Sequence, residues 1–219
     1  MKKLMIADLT VVALLLAFAT PLWSQEDGSS AALDRRVKAF LGSHASEWHD
    51  WNVPEVDGKL LHDIILRNGY KKALEIGTST GHSAIWIAWA LSKTGGKLIT
   101  LEIDESRYKT ALGNFRKAGL SAYIDARLCD AHELVPELEG PFDFVFSDAD
   151  KGWYKNYFDV LAPKLAVGGC YATHNVSDRR GGSFGLSSYV EYLKGLRNFE
   201  TTFNNSGAGV AISYKKSEK

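Results

Sequence analysis

The stretch ALEIGTSTGHSAIWIAWALS, residues 73–92, decides the fold of this 219-residue chain. It begins with a short apolar strand at 73–76, turns at Gly77 and continues from His82 as an apolar helix. A strand that passes through a glycine turn into a helix is the first half of a strand–helix–strand unit, and such units build parallel sheets. The stretch therefore predicts an α/β protein.

Outward from this stretch, strands and helices alternate along the chain. Hydrophobic spacing predicts strands at 97–103, 123–129, 142–147, 170–173, 199–203 and 210–214. It predicts helices at 31–42, 57–67, 82–92, 105–118, 132–138, 153–165 and 188–196. This order predicts a single Rossmann-like, doubly wound sheet of seven mostly parallel strands, with the last two strands forming an antiparallel hairpin at its edge.

Composition agrees with one globular domain and excludes several classes of function. Hydrophobic residues make up 45% of the chain, which is enough for a substantial core. The 26 basic and 26 acidic residues balance, so nothing indicates a nucleic-acid partner. Two cysteines, Cys129 and Cys170, are too few for a disulfide scaffold or a thiolate zinc site.

The N-terminal residues have the composition of a targeting segment. Lys2 and Lys3 precede an apolar run at 9–19, and polar residues follow from position 24. This pattern predicts a secretory signal, cleaved after Ala19 or Ser24, or an uncleaved anchor that uses residues 6–23. We therefore expect residues 1–24 to be a signal or anchor and residues 25–219 to form the folded domain. The expected location of the domain is outside the cytoplasm, either exported or anchored to the membrane. A cytoplasmic catalytic domain is the less favoured alternative.

Acidic residues follow three successive strands, namely Glu75, Glu102 and Asp130. Ligands of such sheets bind at the carboxyl ends of the strands, so these side chains are expected to share one pocket. Glu75 could accept hydrogen bonds from an ammonium group, Glu102 from ribose hydroxyls, and Asp130 from an adenine amino group. Gly77 and Gly81 have the spacing G-x-x-x-G, which differs from the G-x-G-x-x-G of dinucleotide sites. The three acids therefore predict a site for an adenosine derivative that carries a positively charged group and no phosphate.

Four motifs then carry a resemblance to a known family. They are Glu75 to Ser83, Leu101 to Asp104, Asp143 to Lys151, and Gly168-Gly169 with His174-Asn175. Together they resemble the catechol and caffeoyl-CoA O-methyltransferases, which use S-adenosylmethionine, and the likeness runs from about residue 51 to 214. The resemblance implies that these residues contact the cofactor: Val53, Glu75, Gly77, Thr78, Ser83, Glu102, Ile103, Asp130, Ala131 and Asp148.

The resemblance also implies catalytic residues. Lys151 matches the family lysine that removes a proton from the attacking hydroxyl, and Asp148 matches a ligand of a divalent cation. His174-Asn175 stands where the family has Asp-Asn, and a histidine is a poor ligand for magnesium. Three interpretations stay open. Asp148, His174 and Asn175 could hold a softer ion such as manganese or zinc; the metal could be weak or absent, with His174 as a general base; or catalysis could be lost.

The function expected from these observations is transfer of a methyl group to a hydroxyl of a small, catechol-like acceptor, with metal assistance open. The aromatic side chains of Trp48, Trp51 and Trp153 could wall such an acceptor. A homodimer is compatible with the sequence. The alternative is an exported or anchored binding protein on a methyltransferase fold, with reduced or lost catalysis. A nucleotide-dependent oxidoreductase is disfavoured by the glycine spacing and by Glu75.

Overall fold

The structure is a computed structural model that describes residues 22–49, 51–179 and 185–218. The predicted cleavage point after Ala19 and most of the apolar N-terminal run lie outside the described residues, while Ser24 lies in the first turn of the first helix. In the described part of the chain, no helix is long and apolar enough to cross a membrane.

Strands and helices alternate through the described chain. The helices are α1 Leu22–Ser43, α2 Glu55–Asn68, α3 His82–Thr94, α4 Glu105–Ala118, α5 Ala131–Glu137, α6 Tyr154–Leu161 and α7 Ser187–Gly195. The strands are β1 Lys72–Ile76, β2 Lys97–Glu102, β3 Ile124–Leu128, β4 Phe142–Ser147, β5 Leu165–His174, β6 Phe199–Asn204 and β7 Val210–Lys215.

The seven strands form one sheet in the order β3-β2-β1-β4-β5-β7-β6. Strands β1 to β5 pair in parallel, whereas β7 pairs antiparallel with both β5 and β6. The chain moves outward in one direction from β1 to β3 and then returns to the other side of β1 with β4. The crevice between β1 and β4 is thus the switch point at which ligands bind in doubly wound sheets. The predicted fold class is confirmed.

Two apolar cores cover the two faces of the sheet. Successive residues of β1 point to opposite faces, so that Ala73 joins the core under α1 to α4 and Leu74 joins the core under α5 to α7. Glu75 follows Ala73 in this alternation and is fully buried on the first face. Strand β1 therefore carries a carboxylate into the protein interior next to the switch point.

Three predicted elements differ from the structure by more than two residues at one end, and the others agree to within two. The first helix begins at Leu22, earlier than the expected 31–42. The helix predicted at 153–165 ends at Leu161, because Pro163 stands in a 3-10 turn that cannot continue the α-helical hydrogen bonds. Strand β5, predicted at 170–173, already begins at Leu165, and its register with β4 shifts between Phe142 and Phe144. Cys129 and Cys170 are both free thiols.

Gly81 provides a test of the turn between β1 and α3. Its φ is +99°, and a Cβ added there would lie 2.5 Å from Cε1 of Phe115. We expect Gly81→Ala to lower the free energy of unfolding by about 1–3 kcal/mol, because the side chain is both strained and overpacked. Gly113 in α4 has open space around it, so Gly113→Ala is the control. It should raise the stability by about 0.5–1 kcal/mol. Urea unfolding measures both, and equal effects would contradict this interpretation of the turn.

Candidate active site

A cavity of about 730 Å³ opens at the carboxyl ends of the parallel strands. Nine of the residues expected from sequence line it: Gly77, Glu102, Ile103, Asp130, Ala131, Asp148, Lys151, His174 and Asn175. Four others, Val53, Glu75, Thr78 and Ser83, are buried and do not line the cavity. Nine of the predicted site residues therefore surround one cavity, and the other four are buried away from its surface.

Glu75 lies in the wall behind that surface and is fully buried. Its Oε2 accepts a hydrogen bond from the hydroxyl of Thr100, which also contacts the hydroxyl of Thr78, and Ser83 adds another side-chain hydrogen bond. Its Oε1 has no hydrogen-bond partner among the described residues. A buried carboxylate oxygen without a donor is costly, so this atom has an unused capacity to accept a hydrogen bond from a ligand.

The environment of Glu75 changes its acidity. Burial raises the pKa of this carboxyl to about 8, and the nearby charges of Asp148 and Glu102 act in the same direction, against the hydrogen bonds from Ser83 and Thr100. A cationic ligand group beside Glu75 would reverse this shift, because it stabilises the ionised form.

Glu102, at the end of β2, is held rigidly by the backbone. Its Oε1 accepts from the amides of Ile103 at 3.1 Å and Asp104 at 3.0 Å, and its Oε2 accepts from the amide of Ser79 at 2.6 Å. A carboxylate oxygen has two lone pairs, so Oε2 keeps one for a ligand. A fixed acceptor at this strand end suits the hydroxyl groups of a ribose.

Asp130 caps the start of α5, where its Oδ1 accepts from the amide of His132 at 2.8 Å. The ring of His132 also lies between Asp130 and Asp150, with its Nε2 3.0 Å from Asp150 Oδ2, and it packs on the ring of Trp153. His132 lines the cavity and is missing from the residues expected from sequence. A histidine directly after the strand-end Asp130-Ala131 pair is the signal that could have revealed it.

Gly77 allows the backbone to pass close to β4. Its φ is +96°, and a Cβ there would lie 3.1 Å from the carbonyl carbon of Asp148. A side chain would therefore both strain the turn and push β1 from the loop that carries Asp148. The glycine keeps the two sides of the switch point together at the cavity floor.

Asp148 and Lys151 form an ion pair in the loop after β4. Lys151 Nζ donates to Asp148 Oδ1 at 2.7 Å, and Asp148 itself is almost completely buried while Lys151 is a quarter exposed. The lysine amine is thus held at the cavity surface by a carboxylate that points inward. Lys151 therefore lines the cavity with its direction fixed by this ion pair.

His174, the last residue of β5, lies between two carboxylates. Its Nδ1 is 3.0 Å from Asp148 Oδ2, and its Nε2 is 3.1 Å from Asp57 Oδ2. Asp57, in the first turn of α2, is fully buried and was not among the residues expected from sequence. Sequence does contain a signal for it, since Asp57 lies at helical spacing from the buried Leu61 and Ile65.

The two carboxylates change the acidity of His174. Burial alone would lower the pKa of the imidazole, but the negative charge of Asp148 and the hydrogen bonds to Asp148 and Asp57 outweigh burial and raise it to about 9. Carboxylate oxygens only accept hydrogen bonds, so both ring nitrogens are required as donors. His174 is then a cation with neither nitrogen open to accept a proton, which does not suit a general base.

The same contacts decide whether a divalent cation fits. A histidine ligates a metal through a ring nitrogen lone pair, and both ring nitrogens of His174 face carboxylates instead. Within residues 22–49, 51–179 and 185–218, no group of three or more His, Cys, Asp or Glu side chains is arranged to hold a metal ion. Asp148, His174 and Asn175 are brought together as expected, but as donors they do not fit a divalent cation.

The three tryptophans proposed as acceptor walls are separated. Trp51 has φ +67°, is 74% exposed and lines the cavity mouth. Trp153 packs against His132 with the rings tilted by 34°, whereas Trp48 stacks on His82 beside a second cavity of about 540 Å³ under α1 to α3. Val53 lines this second cavity and not the first. Of the three, Trp51 is the one placed to contact a ligand.

Comparison with known proteins decides the family. A family model described as O-methyltransferase matches residues 27–179, a range that includes all four motifs around the cavity. The chain belongs to the O-methyltransferase family. This member is 35% identical over 136 residues to caffeoyl-CoA O-methyltransferase 1 of Zea mays, an alignment that covers 58% of this chain and 52% of the maize protein. The chain thus spans about half the length of the curated relatives it matches.

Solved structures support the same assignment. The O-methyltransferase TomG of Streptomyces achromogenes, involved in tomaymycin synthesis and solved in complex with SAM, is 25% identical with a TM-score of 0.69. That match covers 83% of this chain and 90% of TomG. An O-methyltransferase of Bacillus cereus in complex with SAH is also 25% identical, with a TM-score of 0.69, covering 83% of this chain and 91% of that one.

The raised pKa of Glu75 predicts a pH-dependent stability in this family member. The folded protein holds the Glu75 proton more tightly than the unfolded chain, whose ordinary value is 4.5. Stability from this group is therefore lost as the pH rises from 4.5 to about 8. We expect Glu75→Gln to be more stable than the wild type at about pH 9 and to match it near pH 5 in urea unfolding.

The exposed Glu191 offers the matched control for this experiment. Glu191→Gln should leave the stability difference from wild type close to zero at both pH values. A wild-type protein that gains stability relative to Glu75→Gln as the pH rises would contradict the assignment of a destabilised buried carboxylate.

Proposed function

We propose that this chain transfers the methyl group of S-adenosylmethionine to a hydroxyl of a small phenolic acceptor. The observation that carries the proposal is the unpartnered Oε1 of buried Glu75, with Glu102 and Asp130 on the two following strand ends. Three carboxylates in that order match a cofactor that has an ammonium group, a ribose and an adenine but no phosphate. The SAM and SAH in the two solved relatives support this choice of cofactor.

The proposed cofactor position follows from the directions of these acceptors. The methionine ammonium would lie at the Glu75 wall beside Gly77, which lines the cavity. The ribose would bind Glu102, and the adenine would lie between Ile103 and Ala131 near Asp130. This placement directs the sulfonium toward the loop after β4, where Asp148 and Lys151 stand. The reactive methyl group would then face the part of the cavity that is open to an acceptor.

In the proposed reaction, Lys151 is the general base. The resting Lys151 ammonium first releases its proton to solvent, and the neutral amine then takes the proton of the acceptor hydroxyl while the oxygen attacks the methyl carbon and the carbon–sulfur bond breaks. The products are a methyl ether, S-adenosylhomocysteine and the Lys151 ammonium. Asp148 lies 2.7 Å from that ammonium and stabilises its charge. No metal ion is assigned a step, because the donors at this position do not fit one.

An aromatic acceptor agrees with the cavity mouth. Trp51 presents an exposed ring there, and aromatic faces bind flat rings by stacking. The maize relative is named for caffeoyl-CoA, whose caffeoyl group carries phenolic hydroxyls. We therefore propose a catechol-like or other phenolic hydroxyl as the methylated group.

Cofactor binding tests the proposal directly. Isothermal titration of S-adenosylmethionine into the wild-type protein should show one site, and Glu102→Ala should weaken binding by at least about tenfold, since a charge-assisted hydrogen bond to the ribose is lost. Glu105, three residues further on, is exposed and makes a surface ion pair with Lys109. Glu105→Ala should bind like the wild type. A folded protein that does not bind S-adenosylmethionine would refute the proposal.

The proposed base predicts a separation of binding from catalysis. Lys151→Met should lower kcat by about 100-fold or more while the affinity for S-adenosylmethionine changes little, because the lysine acts on the acceptor proton. Lys155 is an exposed lysine of α6 paired with Asp159, and Lys155→Met serves as the control. Transfer of radiolabelled methyl to a panel of catechols measures both. Binding of the cofactor with no transfer to any acceptor would favour a binding protein with lost catalysis.

We also propose that residues 1–24 direct this domain out of the cytoplasm or anchor it to the membrane. The support is the pattern of Lys2, Lys3 and the apolar run at 9–19. The expected result is a protein found in exported or membrane fractions, with a mass that shows whether the first 24 residues have been removed. Recovery of the uncleaved chain in the soluble cytoplasmic fraction would contradict it.

A further inference from the structure

A row of four charged side chains, three of them buried, crosses the site from α2 to the cavity. It runs from Asp57 through His174 and Asp148 to Lys151, with successive contacts of 3.1, 3.0 and 2.7 Å. Asp57, Asp148 and His174 are each less than a tenth exposed. Ion pairs so far from water interact strongly, and their geometry is correspondingly fixed.

Hydrogen bonds fix the directions along this charged row. His174 donates through both ring nitrogens, and Asp148 accepts from His174 on one oxygen and from Lys151 on the other. Asp57 Oδ2 also accepts from the amide of Ala208 at 2.8 Å, whereas Asp57 Oδ1 has no hydrogen-bond partner among the described residues. The buried charge of Asp57 thus depends on the His174 cation. The imidazole bridges the two carboxylates and occupies the place that a metal ion would need between them.

The charges in this row balance without an added ion. Asp57 and Asp148 supply two negative charges, and doubly protonated His174 with Lys151 supplies two positive charges. With aspartate at position 174, as the family pattern has, the same four positions would carry three negative charges and one positive charge. The difference of two charges is what one divalent cation provides.

From this geometry we infer that His174 replaces the divalent cation, and that Asp57 is the positioning residue that holds His174 in that place. The inference rests on the proposed methyl transfer for its consequence. Asp148 is oriented by His174 instead of by a metal, and through Asp148 the amine of Lys151 is directed at the acceptor. Methyl transfer by this protein then requires no divalent cation.

Metal binding tests the inference independently of activity. The full chain is dialysed with manganese or zinc, and bound metal is measured by elemental analysis and calorimetric titration. We expect no stoichiometric binding to the wild type and a transfer rate unchanged by EDTA. His174→Asp should bind one manganese ion per chain and unfold at a higher temperature when manganese is present, because three carboxylates then need a cation.

The exposed His49 provides a matched control, since His49→Asp makes the same chemical change away from the charged row. It should bind no manganese. If His174→Asp does not fold alone, refolding that depends on manganese supports the inference. If His174→Asp folds neither with nor without manganese, the metal content of the wild-type protein decides. One metal per wild-type chain, lost in His174→Ala, would overturn it.

The role of Asp57 has a separate kinetic signature. Asp57→Asn should lower kcat by up to about 100-fold with little change in KM for S-adenosylmethionine, because a misdirected Asp148 and Lys151 affect the reaction but not the cofactor contacts. Asp63→Asn, on the same helix and partly exposed, should retain wild-type kinetics. Equal losses in both variants, or a change in KM alone, would contradict a positioning role.

Titration of S-adenosylmethionine into the same samples separates this inference from the proposed function. A wild type that binds neither metal nor S-adenosylmethionine would refute methyl transfer while leaving His174 in place of the cation. A wild type that binds S-adenosylmethionine and requires a metal ion for methyl transfer would support the proposed function and refute the replacement of the cation by His174.

Discussion

The burial of acidic side chains at the carboxyl edge of the parallel sheet is the constraint on which the rest of the site depends. The topology brings Glu75, Glu102 and Asp148 to neighbouring strand ends, and each is buried or nearly so. A carboxylate removed from water is costly unless hydrogen bonds or opposite charges compensate it. Each of the three side chains has different hydrogen-bond donors or charged partners in the structure. These partners determine which ligand group or side chain each of them can bind.

The three forms of compensation correspond to three chemical uses. Glu102 is surrounded by backbone amides, so it is fixed in direction and its remaining lone pair is a preorganised acceptor. Glu75 accepts the Thr100 hydroxyl on Oε2 and has no hydrogen-bond partner on Oε1 among the described residues, so a ligand ammonium would remove the penalty of burying it in the ionised form. Asp148 is paired with two cationic side chains, one on each oxygen. The proposed cofactor contacts thus lie on one side of the crevice and the proposed proton transfer on the other.

The sequence predicts the position of a site residue where that position follows from the order of strands and helices. It does not predict a position that depends on contacts between distant elements. Once strands and helices alternate, the positions of Glu75 and Glu102 at strand ends are determined by periodicity. Asp57 contacts His174 across 117 positions, and no local pattern encodes that pairing. Likewise, the early start of β5 depends on the pairing of Leu165 with Phe142 in β4, and the register shift that follows accommodates Gly168-Gly169, with Gly168 at φ +84°.

Small residues on either side of Asp57 show that the fold accommodates this buried carboxylate. A Cβ at Gly58 would collide with the indole of Trp86, and a Cβ at Gly207 would collide with the carboxylate of Asp57 itself. The first glycine lets α2 approach α3, and the second lets the β6–β7 connection close over the carboxylate, where Ala208 donates its amide. The antiparallel hairpin at the edge of the sheet therefore reaches the buried end of the charged row. Through Asp57 it helps to hold His174 in place, so in the proposed mechanism its packing contributes to the orientation of Asp148 and Lys151.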